Sequence, residues 1–200
     1  MANLNKNEMR EALKEAAIFI IAEYGLSRVT TKELTTVANT GNEVYIYRLF
    51  RNKDDLLANM FDMLDRELVS AFEQSLDLMR DRSHTHEERS RMIFQSMWRF
   101  ILKRWHRCSA YMQYYYSPLF LSYSVDKHTE LFEPLVNRFG SMFKPGCNMW
   151  RLANYTLDVM LTMAIKVFRG EIEDTPENEE KTFLLIYRAL YPYLIWSDHE

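Results

Sequence analysis

The sequence predicts an all-α chain of about nine helices: an N-terminal three-helix unit, one long connecting helix and a C-terminal helical domain. Three observations support this. Only five Gly and five Pro punctuate 200 residues that are 48% hydrophobic, which suits helices better than a sandwich or barrel. Apolar residues recur at three- and four-residue intervals through much of the chain. Helix start signals, a Thr or Asn cap followed by acids, precede several of those runs.

In order, Met9, Leu13, Ala16, Ala17, Ile20, Ile21 and Tyr24 make residues 7–24 an amphipathic helix closed by Gly25. Thr30-Thr31-Lys32-Glu33 is a capping box with a Val29–Leu34 staple, so a second, short helix starts at Thr31. It ends near Ala38, because Asn39, Thr40, Gly41 and Asn42 are poor helix formers and suit a turn. A third helix is expected from Glu43 to Phe50. Asn52 caps the fourth, with Asp54 and Asp55 at the positive end of its dipole and Leu57, Phe61, Leu64, Leu68 and Phe72 along one stripe.

Residues 81–86 form a polar loop, and Met92 to Arg107 is expected as one helix carrying Phe94, Met97, Trp98, Ile101, Leu102 and Trp105. Tyr111, Tyr114, Tyr115, Tyr116, Phe120 and Tyr123 then flank Pro118, which breaks or kinks the helix. A helix over about 127–143 follows and stops before Pro145-Gly146. Two apolar helices close the chain, 149–168 and 176–195, the second opened by the Thr175-Pro176 cap and N1 pair. That last helix is apolar around much of its circumference, which calls for cover by another subunit.

Composition narrows the function. Cys108 and Cys147 are isolated, with no His at ligand spacing, so neither zinc nor a disulfide framework is indicated. Reduced core thiols are the default reading, with a redox-sensing thiol as the alternative. His84 and Glu87 have H-x-x-E spacing but no third ligand, and read as a solvated pair. There is no H-E-x-x-H, Gly-rich phosphate loop or G-x-S-x-G elbow, so no enzyme, cofactor or metal is expected. The first residues, MANLNKNEMR, lack the apolar core of a signal peptide, and no run approaches the roughly 18 apolar residues of a membrane span. The expectation is a cytoplasmic protein with no membrane partner.

Net charge is −3, yet residues 26–53 carry Arg28, Lys32, Arg48, Arg51 and Lys53 against only Glu33 and Glu43. Distribution matters more than the sum for binding a polyanion. Two short helices across a tight turn at this basic stretch form a helix-turn-helix, whose second member can enter the major groove; the competing reading is a helical corner with no ligand. The aromatics of residues 94–143 likewise read either as packed core or as the walls of a small-molecule cavity.

One set of residues goes further. A helix ending Tyr24-Gly25, then Val29-Thr30-Thr31, Leu34 and Ala38, then Tyr47-Arg48-Leu49-Phe50-Arg51-Asn52-Lys53 with Leu56-Leu57, resembles the TetR family of bacterial transcriptional regulators. The motif covers about residues 10–57. Family members usually have Ala-Gly-Val-Ser at the turn; this chain has Ala38-Asn39-Thr40-Gly41-Asn42, one residue longer, and Leu49 where an aromatic or His is common.

The resemblance implies a helix-turn-helix DNA-binding domain over 1–52 and a ligand-binding and dimerisation domain over 53–200. It implies a homodimeric, ligand-responsive regulator, most often a repressor, that binds a near-palindromic operator in double-stranded DNA. Asn42, Glu43 and Tyr45 are then expected near base edges, and Thr31, Lys32, Tyr47, Arg48 and Lys53 toward phosphates. An apolar or aromatic effector would meet Phe61, Leu64, Met97, Trp98, Ile101, Trp105, Tyr111, Tyr114, Tyr115 and Phe139. Leu157, Leu161, Phe183, Tyr187, Leu190, Tyr191 and Leu194 would form the dimer interface as a four-helix bundle. The alternative is an all-helical carrier or enzyme whose N-terminal corner is structural.

Overall fold

The structure, a computed structural model, describes residues 5–80 and 83–195, so Asp81 and Arg82 of the polar loop lie outside the described residues. Among the described residues ten α-helices follow one another, and the chain divides into two compact units: residues 1–66 with 106–129, and residues 67–105 with 130–200.

In the first unit α1 (Lys6–Tyr24) is opened by a capping box between Asn5 and Glu8, and stopped by Gly25 at φ 93°, a left-handed backbone that a side chain would strain. Leu13, Ala17, Ile20 and Ile21 are its buried stripe. After a 3₁₀ turn at Leu26–Arg28 come α2 (Thr31–Val37) and α3 (Val44–Leu49), whose Leu34 and Ile46 are fully buried. Thr30 caps α2 as expected, its hydroxyl oxygen accepting from the Glu33 N–H at 3.1 Å. Its O–H also approaches the Glu33 carboxylate at 3.0 Å.

Helix α4 (Lys53–Leu76) begins in the first unit and continues into the second, passing into a 3₁₀ turn at Asp77–Arg80. Asn52 caps it, accepting from the Asp55 N–H at 2.8 Å, while Asp55 accepts from the Arg51 N–H at 3.0 Å. Helices α6 (Trp105–Tyr115) and α7 (Pro118–Tyr123) fold almost wholly with this unit. Gln113 fastens α6 to the end of α1: its amide donates to the Ile21 carbonyl at 2.8 Å and accepts from the Leu26 N–H at 3.1 Å. One side chain thereby adds a second donor to the Ile21 carbonyl, which already accepts from the Gly25 N–H, and pairs the Leu26 N–H just after α1 stops.

In the second unit α5 (His86–Leu102) packs against α9 (Met149–Phe168) and α10 (Pro176–Leu190), and these two pack against each other. The core is aromatic. Phe94 stacks on Trp98 at 5.8 Å and approaches Phe183 at 5.6 Å, which stacks on Tyr187 at 5.2 Å. Arg91 lies 4.3 Å over the Phe183 ring and pairs with both Glu87 and Glu180, closing one end of this stack. Helix α8 (Val125–Gly140) starts in the first unit and ends in the second.

Two element expectations are corrected. The single helix over 92–107 is two: α5 starts at His86, capped by a Thr85–Glu88 box, and ends at Leu102, with Lys103 as its cap residue and the Arg104 N–H turned back to Ile101 at 2.9 Å. No Gly or Pro marks that break, so packing rather than propensity sets it. Pro118 breaks the helix, one of the two outcomes expected, and occupies the first position of α7, where its missing N–H costs nothing. The last helix ends at Leu190 instead of 195, because Pro192 lacks an N–H and its ring would meet the carbonyl four residues back. A 3₁₀ turn at Tyr191–Tyr193 follows, and Leu194 beyond it is extended and bridges to Phe143.

Candidate nucleic-acid interface

The turn between α2 and α3 resolves the register of the longer loop. Asn39 at φ 52° and Gly41 at φ 74° both take left-handed backbone, which Asn and Gly tolerate best. Asn42 then accepts from the Val44 N–H at 2.9 Å, so α3 begins at Val44 and Glu43 is its cap residue rather than its first turn. The far end is held by Arg10 of α1, which donates to the Leu49 carbonyl and lies 4.3 Å over the Phe50 ring. A cation at the negative end of α3 is the favourable placement.

Pinned at both ends, α3 turns Ile46 and Leu49 inward and Val44, Tyr47 and Arg48 outward, with Tyr47 61% and Val44 46% exposed. Tyr45 is half-buried. On α2, Lys32, Thr36 and Val37 are exposed too. Val44, Thr36 and Val37 escaped the sequence reading, although the signal was there: 44, 47 and 48 share one helical face opposite Ile46 and Leu49.

Two expected phosphate contacts have partners within the chain. The Thr31 hydroxyl donates to the Glu43 carboxylate, tying the start of α2 to the start of α3. The Lys53 ammonium donates to the Val29 carbonyl at 3.1 Å, which holds the start of α4 against the segment before α2.

The expected effector residues divide between the units. In the first, Phe61 stacks with Tyr111 at 4.9 Å and Tyr114 at 4.8 Å, and lies 6.5 Å from Tyr115, with Phe120 edge-on at 5.4 Å. Leu64 is buried near by in sequence, and the Tyr114 hydroxyl shares a 3.0 Å hydrogen bond with Ser124. Within this aromatic cluster sits a buried polar pair: His128 Nδ1 is 3.0 and 3.1 Å from the two oxygens of Asp65. Neither residue stands out in the sequence, since an Asp and a His 63 positions apart give no local pattern.

Burial pushes the Asp65 carboxyl above its ordinary value of 3.8, against the downward pull of His128 and of the Tyr111 hydroxyl, with Asp62 adding a smaller upward push. A folded value above the unfolded one means the folded state keeps the proton longer. This contribution to stability is therefore full below 3.8 and is lost as pH rises through the raised value. Urea unfolding at a series of pH values rising from 3.8 should show wild-type stability falling relative to Asp65→Asn, and parallel curves would disprove the assignment.

In the second unit, Met97, Trp98 and Ile101 are buried on α5, Trp105 meets Phe168 at 6.1 Å, and Phe139 meets Phe72 edge-on at 6.2 Å. The buried Trp98 Nε1 has no hydrogen-bond partner among the described residues. An unmet indole donor in an apolar core costs free energy, about 1–3 kcal/mol, unless a ligand or water accepts from it. Of the expected dimer residues, Leu161, Phe183, Tyr187 and Leu194 are buried within the single chain, Leu157 and Leu190 are half-buried and Tyr191 is exposed, alongside exposed Leu185 and Ile195. Burial pushes the Cys108 thiol up to about 12, which leaves it a packing group, and Cys147 is half-buried. His84 faces Glu88 at 3.9 Å while Glu87 pairs with Arg91. No helix among the described residues is long and apolar enough to cross a membrane.

The fold is that of the TetR-family transcription regulators. A TetR family transcription regulator from Marinobacter aquaeolei VT8 superposes with a TM-score of 0.73 at 19% identity, over 92% of this chain and 95% of that one. A TetR-like transcriptional regulator from Rhodococcus sp. RHA1 gives 0.68 at 16% identity over 94% and 99%. The multidrug binding protein EbrR, complexed with imidazole, gives 0.64 at 15% identity over 96% and 98%. No family model and no curated protein matches the sequence.

Proposed function

We propose that this chain is a TetR-family transcriptional regulator: a cytoplasmic homodimer, most simply a repressor, that binds a near-palindromic DNA operator and answers to a small apolar or aromatic effector. The observation that carries this is α3, six residues held at both ends so that Val44, Tyr47 and Arg48 project together. A corner that served only packing would not need an exposed Tyr–Arg–Val face beside the exposed Lys32 and Thr36 of α2.

In this reading Val44 meets a thymine methyl, Arg48 and Tyr47 meet base edges or phosphates, and Lys32 and the amides at the start of α2 take phosphate oxygens. Tyr45 and Asn42 support the register of α3, Asn42 through its bond to Val44. Two copies place two such helices about a twofold axis, so half-site spacing reports the separation of the helices. The exposed apolar residues of α10 and the segment after it, Leu185, Tyr191 and Ile195, supply the dimer contact together with half-buried Leu157 and Leu190.

Helix α4 is the continuous element through which an effector acts, because it carries Phe61 and Leu64 and starts only a short link after α3 ends. The effector must bind the non-DNA-competent arrangement more tightly than the other, or it shifts nothing. EbrR, which shares this fold, is a multidrug binding protein, and the unmet Trp98 donor offers a buried polar anchor.

Selection of bound duplexes from random DNA tests the reading. Enrichment of one near-palindromic sequence is expected, and recovery of none would exclude it in favour of a carrier or enzyme. A second measurement separates two roles of Glu43. If it chiefly engages Thr31, Glu43→Gln keeps an acceptor, removes a negative charge from the DNA face and tightens binding about threefold at low salt for every sequence. If it accepts from a cytosine, the same change relaxes preference at one position.

A further inference from the structure

The geometry points to a second binding site, on the outer face of α5 in the second unit, for an anionic amphiphile: a phosphate monoester carrying a hydrocarbon chain. A groove of about 570 Å³ opens there, with Leu78, Met92 and Phe100 supplying apolar wall and Arg99, Lys103 and Arg104 supplying charge. That volume is in the range of small-molecule sites. The site belongs to one compact unit and is independent of the DNA-binding reading.

The distribution of charge along α5 singles this end out. Arg91 is neutralised by both Glu87 and Glu180. Arg104 is partly committed, donating to the Phe100 carbonyl at 3.3 Å and lying 4.1 Å over the Phe100 ring. Arg99 and Lys103, one helical turn apart, are exposed and have no carboxylate partner among the described residues. From Arg99 to Arg107 the chain reads RFILKRWHR, with no acid at all.

The C-terminal dipole of α5 favours cations there, but only fractionally: about half a charge at the helix end faces three cations. The surplus repels itself at i, i+4 spacing. A phosphate dianion relieves that repulsion, and guanidinium groups suit it because they donate paired N–H groups. The hydrocarbon chain follows from Leu78, Met92 and Phe100, since a bare anion would leave that wall in water.

Calorimetric titration of the full chain with dodecyl phosphate below its micelle-forming concentration tests the site, with inorganic phosphate and phosphatidic acid vesicles as separate arms. Saturation at one dodecyl phosphate per chain is expected, at least tenfold tighter than inorganic phosphate. The Arg99→Gln, Lys103→Gln variant should weaken it at least tenfold, while Arg138→Gln, Arg151→Gln, exposed cations elsewhere in the unit, should change it less than twofold. Met92→Gln should weaken dodecyl phosphate and leave inorganic phosphate unchanged, which decides the matter if the double variant melts early. Vesicle binding that needs Arg99 and Lys103, without binding of the monomeric probe, assigns the same chemistry to a lipid headgroup. Saturation by neither dodecyl phosphate nor vesicles, or equal loss in both double variants, overturns the proposal.

Discussion

Replacing Tyr47 and Arg48 together by Ala is expected to lower affinity for the selected DNA site about 100-fold. Each side chain is worth roughly 1.5 kcal/mol if it contacts a base edge or phosphate, and about 1.4 kcal/mol is a factor of ten. Both point outward from a helix whose inner face is closed by Ile46 and Leu49, so the change leaves the core of the first unit intact. Fluorescence anisotropy with the selected duplex reads the loss, and helical circular dichroism checks the fold. The slope of log affinity against log salt should also become shallower if Arg48 contacts a phosphate, by about one contact's worth. Full affinity in a folded double variant would remove α3 from the DNA surface.

The second large effect is on stability. His128→Leu strands the Asp65 carboxylate in a site where it is 2% exposed and held by His128 at 3.0 Å. Breaking one side of such a buried pair costs about 3–5 kcal/mol, which for a chain of this size is a fall in Tm of roughly 6–20 °C. Asp65→Leu with His128→Leu should recover most of that loss, because two apolar residues of similar volume suit the surrounding Phe61, Tyr115 and Phe120 rings. A double variant no more stable than the single one would show that the pair itself, not the stranded charge, stabilises the unit. Asp65 lies one turn beyond Phe61 on α4, so the same series tests whether loosening α4 against α8 alters DNA affinity.

Much of this can be read from local pattern. The cap at Thr30, the turn after Ala38, the Asn52 cap and the Thr175-Pro176 start all appear where residue chemistry places them, because each involves groups within about four positions. The break after Leu102 is not legible, since Ile101 to Trp105 holds no residue that disfavours helix. Pro192 is a legible stop that the apolar periodicity around it masks; its ring ends α10 by local sterics alone. The roles of Thr31 and Lys53 depend on the partners they find, Glu43 and the Val29 carbonyl, 12 and 24 positions away.

By itself, then, the sequence determined an all-helical chain and its helix-turn-helix corner, since periodicity, capping and left-handed turns are short-range effects. Only the tertiary structure decided that Asp65 meets His128, and that Arg99 and Lys103 are left without acids among the described residues beside an apolar groove. Those facts rest on burial and on pairings between distant positions. Free energy of that kind belongs to the packed arrangement, and no window of the chain carries it.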